Sequence, residues 1–125
     1  MLRIADEFVR GSGASELLDY TVESIATLEV LIDGMVDAAP AAAVDERFGL
    51  SMGAYVGEVI VRHGSTAFWA YDRERRTAVV QSAELGAYPA YKVSKRITIG
   101  PEHSLVQFVR TSIDDALPPE ARVLS

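Results

Sequence analysis

Three glycines recur at every fourth position of an otherwise apolar segment, GLSMGAYVGEVIVRHG at residues 49–64. Each glycine inside a helix costs about 1 kcal/mol relative to alanine, so a helix that keeps three of them needs a compensating gain. The spacing places Gly49, Gly53 and Gly57 on one side of the helix, where the missing side chains let a neighbour approach the backbone. We therefore predict a helix that ends at about His63 and packs closely through these glycines. A backbone surface left open for a ligand or a partner chain is the alternative.

The hydrophobic periodicity predicts helices before this segment and strands after it. Apolar residues recur every three or four positions in residues 1–10 and 15–36, which indicates two amphipathic helices, the second beginning at Ser15. Pro40 then marks a break and a restart. Residues 65–71 and 77–82 are predicted to be the two strands of a hairpin, because they are rich in strand-forming residues and flank a polar turn. Residues 91–99 alternate between apolar and polar side chains, which predicts a third strand.

This order of elements predicts a single α+β domain over residues 1–125. N-terminal helices pack on a three-stranded antiparallel meander, and a C-terminal helix follows. That last helix is predicted to open at Pro101 and to end at Leu117. Residues 1–14 form an N-terminal arm or a short helix, and residues 118–125 form a loose tail.

The composition argues against several classes of function. The chain has a formal net charge of −6 and no long run of lysine and arginine, so we expect neither nucleic acid nor a membrane as a partner. It has no cysteine, which removes thiolate catalysis, disulfides and cysteine-ligated metals and fits a reducing cytoplasm. No apolar run is long enough to cross a bilayer. We expect a cytoplasmic protein without a cofactor.

Two charged residues lie in apolar surroundings. Glu58 is the only charged residue in residues 50–61, and burying a carboxylate without a partner is costly. Lys95 falls on the same face of the predicted third strand as Val93. We hypothesise that Glu58 and Lys95 form an ion pair that joins the helix to the strand. A bulge or an early strand end would instead turn Lys95 outward.

Five residues at or near this pair are candidate binding residues. They are Tyr55, Glu58, Trp69, Lys95 and Arg96. Aromatic residues in such a set more often fill a core or an interface than line a site. No nucleophile elbow or phosphate-binding loop is present, and His63 and His103 lack the spacing of metal ligands. The sequence therefore assigns no catalytic residue and no metal site.

Two segments follow a recognisable pattern. The first is G-x-Y-x-G-E-V, which leads through a glycine into a strand with tryptophan, and the second is P-x-x-x-V-x-K-R, followed by a glycine and a helix that opens with serine and leucine. The matching residues are Gly53, Tyr55, Gly57, Glu58, Val59, Gly64, Trp69, Pro89, Val93, Lys95, Arg96, Gly100, Ser104 and Leu105. Together they resemble a family of small bacterial domains of unknown function, the DUF3806 group, over residues 50–110. The turn at residues 63–65 is less rich in glycine than this pattern.

The resemblance implies no catalytic residues. Domains of similar appearance occur near bacterial toxin–immunity loci, so the resemblance implies immunity or protein binding. We therefore expect a non-enzymatic protein-binding module, immunity-like or an adaptor, whose partner is another protein or a second copy in a homodimer. The alternative is a small-molecule-binding domain or a weak enzyme with a pocket around Glu58. A protein-binding module predicts an exposed apolar patch. A small-molecule-binding domain or an enzyme predicts a cavity that Glu58 faces.

Overall fold

A computed structural model describes residues 1–83, 86–118 and 120 of the chain. This described part forms six helices and three strands. The helices are α1 (Leu2–Gly11), α2 (Ser24–Ala38), α3 (Pro40–Ala43), α4 (Glu46–His63), α5 (Pro89–Thr98) and α6 (Leu105–Asp115). The strands are β1 (Phe68–Asp72), β2 (Thr77–Gln81) and β3 (Gly86–Ala87).

The strands form one antiparallel sheet in the order β1-β2-β3. Trp69 lies opposite Val80 in the first pair of strands, and Val80 lies opposite Ala87 in the second. The hairpin between β1 and β2 turns through Arg76, whose φ is +53°. The prediction of an α+β fold with N-terminal helices, a three-stranded antiparallel sheet and a C-terminal helix is confirmed.

The glycine-rich helix α4 is the centre of the fold. It packs against α1, α5, α6 and the sheet, and every residue from 52 to 60 is buried. Its side chains Tyr55 and Val59 share one core with Leu28 of α2 and Leu105 of α6. A helix that is buried nearly all round needs neighbours on every side, and the surrounding helices and strands supply them.

At the glycines of α4, neighbouring elements lie close to the helix backbone. A Cβ atom built on Gly53 would lie 2.7 Å from Cα of Ala90 in α5, and one built on Gly49 would lie 2.5 Å from a serine Oγ of the same helix. The third glycine, Gly57, faces the indole ring of Trp69 in β1. One stripe of α4 therefore contacts a helix through two glycines and a strand through the third.

The predicted third strand over residues 91–99 is wrong, because this segment is helical. It belongs to α5, whose buried residues Pro89, Val93, Arg96 and Ile97 recur at the three- and four-residue spacing of a helix. Proline at the first position also suits a helix start. The third strand is the short β3, which precedes α5.

The predicted start of the second helix at Ser15 is also wrong, because the helix begins at Ser24. Tyr20 adopts a φ of +63°, which a helix does not allow. Oγ1 of Thr21 then accepts the N–H of Ser24, so the helix can begin only after this turn.

The last helix begins after Ser104 and not at the predicted Pro101. The Ser104 hydroxyl accepts the N–H of Gln107 and so caps the first turn. The helices at residues 2–11 and 46–63 and the restart at Pro40 agree with the predictions.

In the part of the chain that the structure describes, no helix combines the length and the hydropathy needed to span a membrane. Residues 119 and 121–125 of the predicted tail lie outside the described residues.

Candidate functional site

Glu58 lies between α4 and β1 with 7% of its surface exposed. Its Oε1 accepts a 2.9 Å hydrogen bond from the indole Nε1 of Trp69, and its Oε2 lies 3.5 Å from Nε of Arg62, one helical turn later. The carboxylate therefore has both a hydrogen-bond donor and a counter-charge, which offset the cost of removing it from water.

The hypothesised ion pair between Glu58 and Lys95 is not formed. In the described residues Glu58 is paired with Arg62, and the side chain of Lys95 is exposed. The reason is the helical course of α5, which turns Arg96 inward and its neighbour Lys95 to the surface. Lys95 therefore points outward, as in the alternative to the ion pair, but a helix and not a bulge turns it.

Arg96 is a buried cation of α5, with 4% of its surface exposed. Its Nε donates to Oε1 of Glu29 at 2.7 Å, and its Nη2 donates to Oδ1 of Asp33 at 2.8 Å. Burial alone would lower the pKa of Arg96, but the hydrogen bonds with Glu29 and Asp33 outweigh it, so the pKa is raised. The guanidinium thus stays charged and ties α5 to α2.

Glu29 also holds the start of α6. Its carboxylate oxygens accept the backbone N–H groups of Leu105 at 3.2 Å and Val106 at 3.4 Å. These are N–H groups of a first helical turn, which have no partner within their helix, and negative charge is favourable there. One carboxylate therefore joins α2, α5 and α6, which is a structural role.

Tyr55 is fully buried, and its hydroxyl has two partners. It accepts the backbone N–H of Tyr20 at 3.0 Å and lies 2.6 Å from Oγ of Ser24. Because the Ser24 hydroxyl donates to the carbonyl of Thr21, Tyr55 is the donor to Ser24. Burial raises the pKa of Tyr55. The residue fixes the segment that precedes α2 and serves the core.

Tyr20 connects Tyr55 to the surface of α1 and α4. Its ring stacks on Tyr55 with centroids 4.8 Å apart, and Cζ of Arg62 lies 3.8 Å from its ring centroid. Its hydroxyl donates to Asp6 of α1, and Nε2 of His63 lies 2.9 Å from its carbonyl oxygen. Burial, followed by the bond to Asp6, raises the pKa of Tyr20.

The five candidate binding residues thus do not share one site. The structure brings Glu58 and Trp69 together. Tyr55 serves the core, Arg96 pairs with α2, and Lys95 is exposed.

Sequence reasoning missed two residues that organise this region, Glu29 and Tyr20. Glu29 could have been found, since a carboxylate within the apolar spacing of the second helix needs a partner. Tyr20 carries no such signal, because a positive φ at a tyrosine is rare and its sequence neighbours do not indicate one.

An apolar groove of about 490 Å³ lies among the described residues. We call it the α1–α2 groove, because residues of α1 and α2 line it together with residues of α4. Its apolar lining includes Ile4, Phe8, Leu31, Met35, Phe48 and Met52, and Glu7 is the charged residue in its lining. The sequence predicted amphipathic helices at residues 1–10 and 15–36 but did not predict a groove between them.

Two further grooves are more polar. One, of about 370 Å³, lies beside β3, α5 and α6 and includes Lys92 and Glu102. The other, of about 300 Å³, lies between α4, α5 and the β1–β2 turn and includes Arg75 and Arg76. Glu58 lines none of these three grooves.

The described residues contain no group of three or more histidine, aspartate and glutamate side chains placed as metal ligands would be. No family model matches the sequence, and neither a curated protein nor a solved structure matches it. The resemblance to the DUF3806 group therefore stays a prediction that rests on its pattern of residues.

Proposed function

We propose that the chain is a non-enzymatic protein-binding module of the cytoplasm, acting as an adaptor or an immunity-type inhibitor does. Its α1–α2 groove receives the apolar face of an amphipathic helix from a partner protein. The observation that carries this proposal is the groove itself, about 490 Å³ of space with an apolar lining between two helices. An amphipathic helix binds such a groove through side chains spaced three and four residues apart.

The groove has the lining that a helix-binding site needs. Phe8 and Phe48 supply large rigid surfaces, and Met35 and Met52 supply flexible ones that adapt to the side chains they meet. Water in an apolar groove is displaced favourably by apolar side chains. The side that α4 contributes is held firmly, since α4 is the most buried helix of the described residues.

Charge favours a basic partner. The chain has a formal net charge of −6, and Glu7 lies in the lining of the groove. Glu7 is paired with Arg3 at 3.5 Å, but both side chains are largely exposed, so solvent screens this pair. A helix with lysine or arginine on its polar face would be attracted by the acidic chain and would dock with its apolar face inward.

Glu58 is outside the proposed binding surface. Its carboxylate is already bonded to Trp69 and Arg62 and lines none of the three grooves. Among the described residues, a pocket around Glu58 for a small molecule or a reaction therefore has no observation in its favour.

The experiment uses a synthetic amphipathic peptide with leucine on one face and lysine on the other. Titration of the isotope-labelled protein, followed by NMR, is expected to shift the resonances of α1, α2 and the first half of α4. A peptide of the same composition in an order without a continuous apolar face is the control and should bind at least about tenfold more weakly.

A pair of variants tests the location. Met35→Lys places a cation in the groove and is expected to weaken binding at least about tenfold, while resonances outside the groove stay as in the parent. Val30→Lys makes the same change of charge on α2 at a residue that is 69% exposed and outside the groove lining, and it should leave binding nearly unchanged. Equal binding of the two peptides, or binding that Met35→Lys does not affect, would overturn the proposal.

A further inference from the structure

Strand β1 lies at an edge of the sheet. The strand order is β1-β2-β3, so β1 pairs with β2 on one side, and among the described residues no strand pairs with its other side. An edge strand presents unpaired N–H and C=O groups, and proteins usually protect such an edge with proline, an inward charge or a bulge. The sequence of β1, FWAYD, has none of these within its first four residues.

The side chains of β1 are large and partly open to solvent. Phe68 is 54% exposed and Tyr71 is 63% exposed. The charged residue of the strand, Asp72, does not repel a neighbour strongly, because its carboxylate binds Arg75 at 3.0 Å and Tyr88 at 2.7 Å. The edge is therefore aromatic and weakly charged, which suits contact with another strand.

We propose that β1 is a dimer interface, at which two copies of this chain pair β1 with β1 in antiparallel orientation around a two-fold axis at Ala70. This inference does not depend on the groove. Residues 69 and 71 share a face of the sheet, because side chains alternate along a strand. A two-fold axis at Ala70 therefore places Trp69 of each copy opposite Tyr71 of the other.

This register is self-complementary. It makes two cross-strand aromatic pairs, an arrangement that stabilises antiparallel strands. Trp69 is already held by its hydrogen bond to Glu58 and by its contact with Gly57. Its side chain therefore loses little conformational entropy when the strands pair. A second copy is favoured over an unrelated strand because one five-residue segment supplies both halves of each pair.

Pairing would also extend a small sheet. The described sheet has three strands, one of them only two residues long. Joining two copies through β1 makes a continuous sheet of twice that number and removes the exposed edge of β1 in both copies.

The first test measures mass. Light scattering over a range of protein concentrations is expected to show a species of twice the 13.6 kDa chain mass. Tyr71→Lys adds a charge to the edge and should raise the dimer dissociation constant at least about tenfold. Val30→Lys, which adds the same charge on α2, is the matched control and should leave it unchanged.

The second test measures the register. The chain has no cysteine, so Ala70→Cys supplies a single thiol. At the two-fold axis the two Cα atoms would be about 4.5–5.5 Å apart, within the range that a disulfide spans. Mild oxidation is expected to give a cross-linked dimer, whereas Gln81→Cys on β2 should not cross-link because it lies one strand away from the interface.

A chain that stays monomeric at all accessible concentrations would overturn the proposal, even if β1 then paired with a strand of another protein. A dimer that Tyr71→Lys and Val30→Lys affect equally would overturn it as well. So would equal cross-linking of the two cysteine variants.

Discussion

The indole ring of Trp69 lies so close to the backbone of α4 that a Cβ atom on Gly57 would overlap its Cη2 and Cζ2 atoms. The same indole donates its N–H to Glu58, the next residue of the helix. A glycine and a carboxylate in adjacent positions thus fix one aromatic residue, the first by leaving space for it and the second by binding its polar atom.

Gly57→Ala is expected to destabilise the fold by about 1–3 kcal/mol, because the added methyl group would displace the Trp69 ring. Gly34→Ala is the control. Gly34 lies inside α2 with nothing within 4 Å of an added Cβ, so alanine there should stabilise by up to about 1 kcal/mol. Urea denaturation of both variants measures the two changes, and a Gly57→Ala protein as stable as the parent would contradict this account of the packing.

Arg96→Met is expected to cost about 3 kcal/mol, because it leaves the carboxylate of Glu29 without its buried cation. The figure is at the low end for a buried pair, since Asp33 is half-exposed and can be solvated. Lys95→Met changes the neighbouring, exposed residue and should alter the free energy of unfolding by less than about 0.5 kcal/mol. Equal losses in the two variants would argue that the inward position of Arg96 is incorrect.

Tyr55→Phe is expected to cost about 1–3 kcal/mol, because the partly buried N–H of Tyr20 loses its acceptor. Ser24 keeps a partner, since its hydroxyl donates to Thr21. Ser65→Ala removes a hydroxyl from an exposed residue and should change stability by less than about 0.5 kcal/mol. Thermal unfolding at one fixed protein concentration compares the two, and the hypothesis fails if they lose the same stability.

Asp45→Asn is expected to make stability less dependent on acid pH. Bonds from the side chain and backbone N–H of Arg47 lower the pKa of Asp45 from 3.8 to about 2. The folded pKa is below the unfolded one, so the contribution of the ionised group is present above pH 3.8 and is lost as pH falls toward 2. Asparagine still caps α4.

Urea midpoints measured from about pH 5 down to about pH 2 check this prediction. The difference between the parent and Asp45→Asn should shrink as the pH falls. Asp72, whose pKa is also lowered to about 2, keeps its own share of the pH dependence in both proteins. A difference that is constant over this range would rule out the Asp45 carboxylate as its source.

The elements that could be predicted are those whose residues show a single pattern, with no second pattern that indicates another structure. The apolar run of α4, with His63 and Gly64 at its end, indicates one helix. The aromatic and β-branched runs around the polar turn indicate β1 and β2. In each case the local preference and the tertiary packing agree, so the sequence pattern alone is sufficient.

The error in residues 91–99 arose because two patterns competed. A two-residue alternation of apolar side chains hides the helical spacing of Val93, Arg96 and Ile97, and only Pro89 indicates a helix. The alternation predicts a strand because it is the more regular of the two patterns.

The error at the start of α2 arose because the apolar spacing already begins at residue 15, nine residues before the helix does. The positive φ of Tyr20 prevents a helix from running through this position, and no glycine or proline marks it in the sequence. Its contacts with Tyr55, Asp6 and Arg62 hold that conformation, and they are tertiary.

The candidate site was less predictable than the fold. The isolated position of Glu58 correctly indicated that it needs a partner, but charge alone pointed to Lys95. The donor is an indole N–H, which carries no formal charge, and the cation lies one turn away on the same helix. The α1–α2 groove depends on how far apart two helices lie, and the spacing of residues along each helix does not contain that distance.

Glu29 has a consequence for the order of folding. The N–H groups that it accepts belong to residues 76 and 77 positions later in the chain, and its cation lies 67 positions later. The start of α6 therefore acquires its acceptor only after α2 has docked, so α6 should gain protection from hydrogen exchange together with α2 and not before it. A single carboxylate should therefore make α6 fold cooperatively with α2.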